Sequence, residues 1–158
     1  MSTKPKTILD AKTIPQVALD FMNQTHSEEV ELVNNLGKSL DSYTHQTTLS
    51  QQKTDAITQQ LMNWLAHTEA HFARENQLMQ DTGFPAYDIH ASEHSRVLNE
   101  MKAVIQRWQE QQDINALEDF LFCSWPNWFD AHVNSMDMVT AQFATMNGYD
   151  ATNQEQTL

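Results

Sequence analysis

Cysteine occurs once in the 158 residues, at Cys123, so no internal disulfide is possible and packing alone must hold the fold. Glycine (3) and proline (4) are nearly as scarce. So few breakers argue against many short strands and favour long helices. Basic residues are outnumbered nine to 21, leaving a net charge of −12. Such a surface repels phosphate, which argues against nucleic-acid partners and against docking on an anionic membrane. No apolar run approaches the roughly 18 residues that a membrane span needs. The N-terminal stretch MSTKPKTILDAKT has no apolar signal core. Together these absences point to a cytoplasmic protein.

What remains is a chain that is 40% hydrophobic and long enough to bury one ordinary core. Residues 1–14 read as an irregular N-terminal arm, 15–150 as one helical domain, and 151–158 as a polar tail. Four amphipathic segments are expected within the domain. The first runs from Pro15 to Ser39, with Pro15 in the first turn and a stripe of Met22, His26, Val30, Val33, Leu36 and Leu40. The second runs from Ser50 to Gln80, with Ile57, Leu61, Trp64, Thr68, His71, Glu75 and Leu78, and Gly83-Phe84-Pro85 lies beyond its end. The third runs from Ala86 to Gln111, with His90, His94, Val97, Met101, Val104 and Trp108. The fourth runs from Ile114 to Thr145, capped by Asp113, and Pro126 inside it should kink or split it. Short connections make sequential helices antiparallel neighbours. The expected fold is all-α, an antiparallel up-down-up-down four-helix bundle with an N-terminal arm.

The stripes are apolar except at a few positions. His26 interrupts the first, His71 and Glu75 the second, and His90 and His94 the third, each pair four apart and on one face. His132 interrupts the fourth, with Asp137 five residues later. Buried histidines need partners for both ring nitrogens, and buried carboxylates need compensating charge. No Lys or Arg lies on these stripes to supply it. A metal centre satisfies all seven residues at once. Five nitrogens exceed one ordinary site, and two carboxylates able to bridge suit two adjacent ions. A five-residue step on a regular helix turns Asp137 by about 140° from His132. The helix is therefore distorted there, or Asp137 reaches sideways to a second ion.

This pattern resembles the hemerythrin family, including the bacteriohemerythrins. The resemblance spans Pro15 to Phe143 and is carried by His71-Phe72-Ala73-Arg74-Glu75, by GFPAYDIHASEHSRVL around His90 and His94, and by WFDAHVNSMD ending at Asp137. It implies two Fe ions with an oxo or hydroxo bridge. His90, His94 and His132 would bind one, His26 and His71 the other, and Glu75 and Asp137 would bridge them. O2 would bind reversibly at the position left open on the His26–His71 side, for storage, delivery or local supply. Four features depart from the usual family pattern: Phe129 where a Leu is frequent, Thr140 where a Tyr is common, an arm without the usual aromatic residue, and Pro126 ahead of the ligands of the fourth helix. Trp128 and Phe129, one turn or less before His132, are expected to wall the oxygen pocket.

His45 is expected in an exposed connection, and His67 stands outside a set already complete. The remaining tryptophans and Cys123 read as core packing. Other readings are sensing of O2, NO or redox state through a partner protein, and consumption of peroxide or NO by a diiron oxidoreductase. Carboxylate-rich diiron oxidases use Glu-x-x-His pairs, and this chain has no such pair, which favours binding over enzymatic turnover. A zinc-binding bundle is disfavoured because seven ligands exceed a tetrahedral site.

Overall fold

The structure is a computed structural model and describes residues 7–44 and 50–149. His45 and the 151–158 tail therefore lie outside the described residues. Four long helices form the bundle: α1 (Asp20–Thr44), α2 (Gln51–Thr82), α3 (Tyr87–Gln111) and α4, which covers 114–146. Helix α2 packs against both α1 and α3, and the first segment of α4 packs on α3. Among the described residues there is no strand and no helix long and apolar enough to cross a membrane.

The expected stripes face one core. Met22, Val33 and Leu40 of α1, Leu61 and Trp64 of α2, and Met101 and Trp108 of α3 are completely buried. On α3 the inward position is Ile105, with Val104 half-buried beside it. Ser50 caps α2 by accepting from the Lys53 N–H, and Asp113 caps α4 by accepting from the Ala116 N–H. Gly83 ends α2 in the left-handed region, with φ +68°. The Phe84 N–H returns to the Met79 carbonyl there, closing the turn in which only glycine sits without strain.

Two expectations about helix ends are corrected. Helix α1 begins at Asp20, not at Pro15. The Asn23 side chain accepts from the Val17 N–H (2.8 Å) and donates to the Val17 carbonyl (3.0 Å), holding the chain before α1 away from the helical path. This buries Ile14, Val17 and Leu19. The proline ring fits that segment as well as a first turn, since it fixes φ alone. At its other end α1 runs on to Thr44, because Leu40 and Tyr43 continue the buried stripe. From residue 7 onward the arm lies against α1. It makes a short 3₁₀ turn at Ala11–Thr13, and Asn34 of α1 binds the backbone of Ile8 and Leu9. Ile8 comes so close to Gly37 that a Cβ there would lie 2.9 Å from its Cδ1.

Helix α4 is not split at Pro126. Its α-helical segments Ile114–Asp119, Trp125–His132 and Met138–Met146 are joined by π-helical turns at Phe120–Ser124 and Val133–Asp137. In the first π turn the Trp125 N–H reaches back to the Phe120 carbonyl. The disturbance expected at Pro126 thus takes the form of a wider turn just before it, and the helix continues. Cys123, on that turn, is exposed rather than packed at a helix interface.

Candidate metal centre

The bundle brings His26, His71, Glu75, His90, His94, His132 and Asp137 together, each at most 6% exposed. Their donor atoms form two groups, each with all its atoms within 4.8 Å of one another. One comprises Glu75, His90, His94, His132 and Asp137; the other comprises His26, His71, Glu75 and Asp137. Both carboxylates belong to both groups, and each turns a different oxygen to each side. Asp137 Oδ1 lies 3.0 Å from His132 Nε2 and 3.2 Å from His90 Nε2, while its Oδ2 lies 3.0 Å from His26 Nε2. Glu75 Oε1 faces His94 Nε2 (3.5 Å) and His90 Nε2 (3.7 Å), while its Oε2 touches His71 Nε2 and lies 4.0 Å from that of His26.

The second π turn makes this possible. It occupies Val133–Asp137, and the Met138 N–H reaches the Val133 carbonyl. Bonds across five residues widen the turn, so a five-residue step comes close to one full turn and His132 and Asp137 share an inward face. Of the two outcomes open at the sequence level, local distortion is the one observed.

The protonation pattern favours a cation. His90 Nδ1 lies 2.8 Å from Thr140 Oγ1, whose hydroxyl is directed to Met79 Sδ, and His94 Nδ1 lies 2.9 Å from Asn76 Oδ1. Those rings carry their proton on Nδ1, which leaves an Nε2 lone pair on each. Both lone pairs point at His132 Nε2, 3.1 Å from each. Glu75 Oε1 and Asp137 Oδ1 are buried without a hydrogen-bond partner. Facing lone pairs and orphaned anionic oxygens are what a bound metal satisfies.

The electrostatics agree. Burial pushes Asp137 up, but the close imidazoles of His132, His26 and His90 outweigh it and hold the carboxyl well below its usual range. Burial and the neighbouring Asp137 push Glu75 up, and His71 and His94 reverse the shift. Burial lowers His94 to about 4, so it is neutral and ready to ligate. Burial also opposes charge on His71, yet Glu75 and Glu29 raise it well above the usual value.

The two aromatic residues expected to wall one pocket stand on different sides of the centre. Phe129 presents its ring edge-on to His26 at 5.6 Å and is backed by Trp125 at 4.7 Å. Trp128 stacks on His132 at 4.5 Å, tied by its indole N–H to Glu93 (2.8 Å). Adjacent residues on a helix point about 100° apart, so they cannot line the same face. His67 belongs to neither group and instead contacts Glu28 and Glu29.

The sequence reading gives no role at the centre to four supporting residues. Asn76 and Thr140 orient His94 and His90, and Phe72 stacks on His94 at 4.0 Å. Glu29 is buried beside His71. Its position, three after His26, is a visible signal, because it falls on the inward face of α1.

Comparison with known proteins agrees with this geometry. The hemerythrin HHE cation binding domain family matches residues 17–144. A bacteriohemerythrin of Aquifex aeolicus is 30% identical over 122 residues, covering 77% of this chain and 86% of its own. A bacteriohemerythrin of Ralstonia nicotianae is 36% identical over 88 residues, covering 56% and 63%. One of Stenotrophomonas maltophilia is 23% identical over 125 residues, covering 79% and 74%. No solved structure matches the chain.

Proposed function

Because the chain belongs to the hemerythrin family, we propose that it binds O2 reversibly at a non-heme diiron centre, for storage, delivery or local supply. One observation carries the reading: two groups of donor atoms share both carboxylates, with one oxygen of each turned to each group. His90, His94 and His132 would hold one iron, His26 and His71 the other, and Glu75 and Asp137 would bridge them. The second set has one nitrogen fewer, so an open position would fall there. An iron pair supplies the electrons that O2 accepts and returns.

The protein's own contribution is ligands, orientation and dryness. Thr140 and Asn76 hold the His90 and His94 rings in the tautomer that ligation requires. Phe129, 2% exposed and edge-on to His26, keeps water from the open side. In this reading the protein is a binder, not an enzyme.

Metal analysis tests the stoichiometry, and two irons per chain are expected. One ion per chain, or zinc taken up in preference after iron-replete expression, contradicts the reading. Anaerobic reduction followed by air exposure tests the chemistry. A charge-transfer band should appear with air and vanish when O2 is removed, whereas steady consumption of O2 or peroxide would instead make the protein an oxidoreductase.

Phe129→Ala should shorten the life of the oxygenated form several-fold at unchanged iron content, because the cavity it opens admits water beside His26. Trp128→Ala should act less on that lifetime, since its ring covers His132 on the far side. Decay of the oxygenated spectrum in both variants and the parent, at matched iron loading, checks the order. A Phe129→Ala protein that decays no faster than the parent removes Phe129 from the pocket.

A further inference from the structure

Glu29 is a buried carboxylate to which the proposed function gives no task. It is 1% exposed, and its ion-pair partners among the described residues are both histidines. The Trp64 N–H (2.9 Å) and the Thr68 hydroxyl (2.7 Å) donate to it from α2. His67 Nδ1 lies 3.5 Å from its Oε1, and His67 Nε2 reaches out to the exposed Glu28 at 3.1 Å. His71 Nδ1 lies 3.6 Å from the same Oε1. Two hydrogen-bond donors and two imidazoles face its oxygens, the surroundings of a carboxylate rather than of a carboxylic acid.

The arrangement is asymmetric across the centre. The outer nitrogens of His90 and His94 meet the neutral Thr140 and Asn76. The outer nitrogen of His71 meets an anion. With a cation on Nε2, the ring proton of His71 is confined to Nδ1 and points at Glu29. A carboxylate in that position fixes the tautomer and makes the ring a stronger electron donor. Burial strengthens the effect, because little solvent screens the charge.

We infer that Glu29 is a positioning residue for His71: an anion set into the α1–α2 contact that aligns the ring and lowers the reduction potential of the ion on the less fully ligated side. The inference rests on the diiron reading and deepens it. It means that the ion facing O2 is the one tuned to give up its electron, while the fully ligated ion has only neutral outer partners on His90 and His94.

The test compares the parent, Glu29→Gln and Thr68→Val as iron-loaded full chains, reading iron per chain by metal analysis and the midpoint potential by spectroelectrochemical titration. Thr68→Val removes one hydrogen bond to Glu29 but leaves its charge, so it separates packing from electrostatics. Glu29→Gln is expected to keep its iron and to become easier to reduce by about tenfold in the redox equilibrium, about 59 mV for a one-electron step. Thr68→Val is expected to stay with the parent. An unshifted Glu29→Gln, or equal shifts in both variants, overturns the inference. If Glu29→Gln fails to fold, Glu29→Asp carries the test, because it keeps the charge one methylene farther from His71. A raised potential there supports the inference and an unchanged one overturns it. A parent that takes up no iron pair overturns the diiron reading itself, and with it this inference. A parent with two irons and unshifted variants overturns this inference alone.

Discussion

Stripped of metal by a chelator under reducing conditions, the protein is expected to melt well below its iron-loaded form. Glu75 Oε1 and Asp137 Oδ1 are then buried without partners, and the Nε2 atoms of His90 and His94 face that of His132 at 3.1 Å with no cation between them. The two orphaned oxygens alone amount to roughly 2–6 kcal/mol at about 1–3 each. A domain of this size loses about 2–4 °C per kcal/mol, so the fall is at least about 4 °C. Calorimetry of the two forms checks this, and equal melting temperatures contradict a buried metal centre.

The stripped form should also show a distinctive pH profile. Glu29 is depressed from 4.5 to about 2, so the stability it contributes is present above 4.5 and lost as pH falls through 2. His94 is depressed from 6.5 to about 4, so stability rises with pH across that interval as the unfolded chain releases its proton. His71 is raised above 6.5, so its contribution is full below 6.5 and is lost as pH rises through the folded value. These three slopes meet in a maximum near pH 6.5. Metal loading should move the maximum upward, because ligation needs His71 deprotonated at Nε2. Melting temperatures across pH 3–9 check both statements, and identical profiles for the two forms would contradict them.

His71→Ala is expected to reduce bound iron from two per chain to about one or none, a larger loss than substitution at Phe129 or Glu29 should cause. The change removes the nitrogen in contact with Glu75 Oε2, leaving that oxygen with His26 at 4.0 Å. It also opens a cavity beside two buried carboxylates, Glu75 and Glu29, which no lysine or arginine compensates among the described residues. Loss of fold and loss of metal are separated by measuring iron content and helicity on the same sample. His67→Gln is the control: it stands one turn away on the same helix but belongs to neither donor group, so it should keep its iron at saturating supply. A His71→Ala protein with full iron, or a His67→Gln protein without it, overturns the ligand assignment.

Much of the bundle is legible in the order of its residues. Spacings of three and four along each segment report which face a helix buries, and that rule depends only on helical pitch. The stripe residues Met22, Val33, Leu61, Trp64 and Met101 accordingly lie at zero exposure. The seven polar interruptions are visible because a histidine or carboxylate on an apolar face demands a partner. The start of α1 is not legible, since Pro15 suits both a helical first turn and the segment that Asn23 holds. Nor is the fate of Pro126, which depends on whether the backbone can widen ahead of it.

The sequence by itself determined four helices, their inward faces and the residues that meet at the centre, because periodicity and burial energetics are local consequences of side-chain chemistry. The family resemblance implied how those residues are shared between two groups of donors, and only the tertiary structure decided the backbone path that allows it, the π turn that brings Asp137 round to His132. The tertiary structure also decided that Phe129 faces His26 while Trp128 covers His132, and that Glu29 stands behind His71. Those distinctions come from contacts between α1, α2 and α4. The pitch of a single helix says which side is inward but not which neighbour waits there.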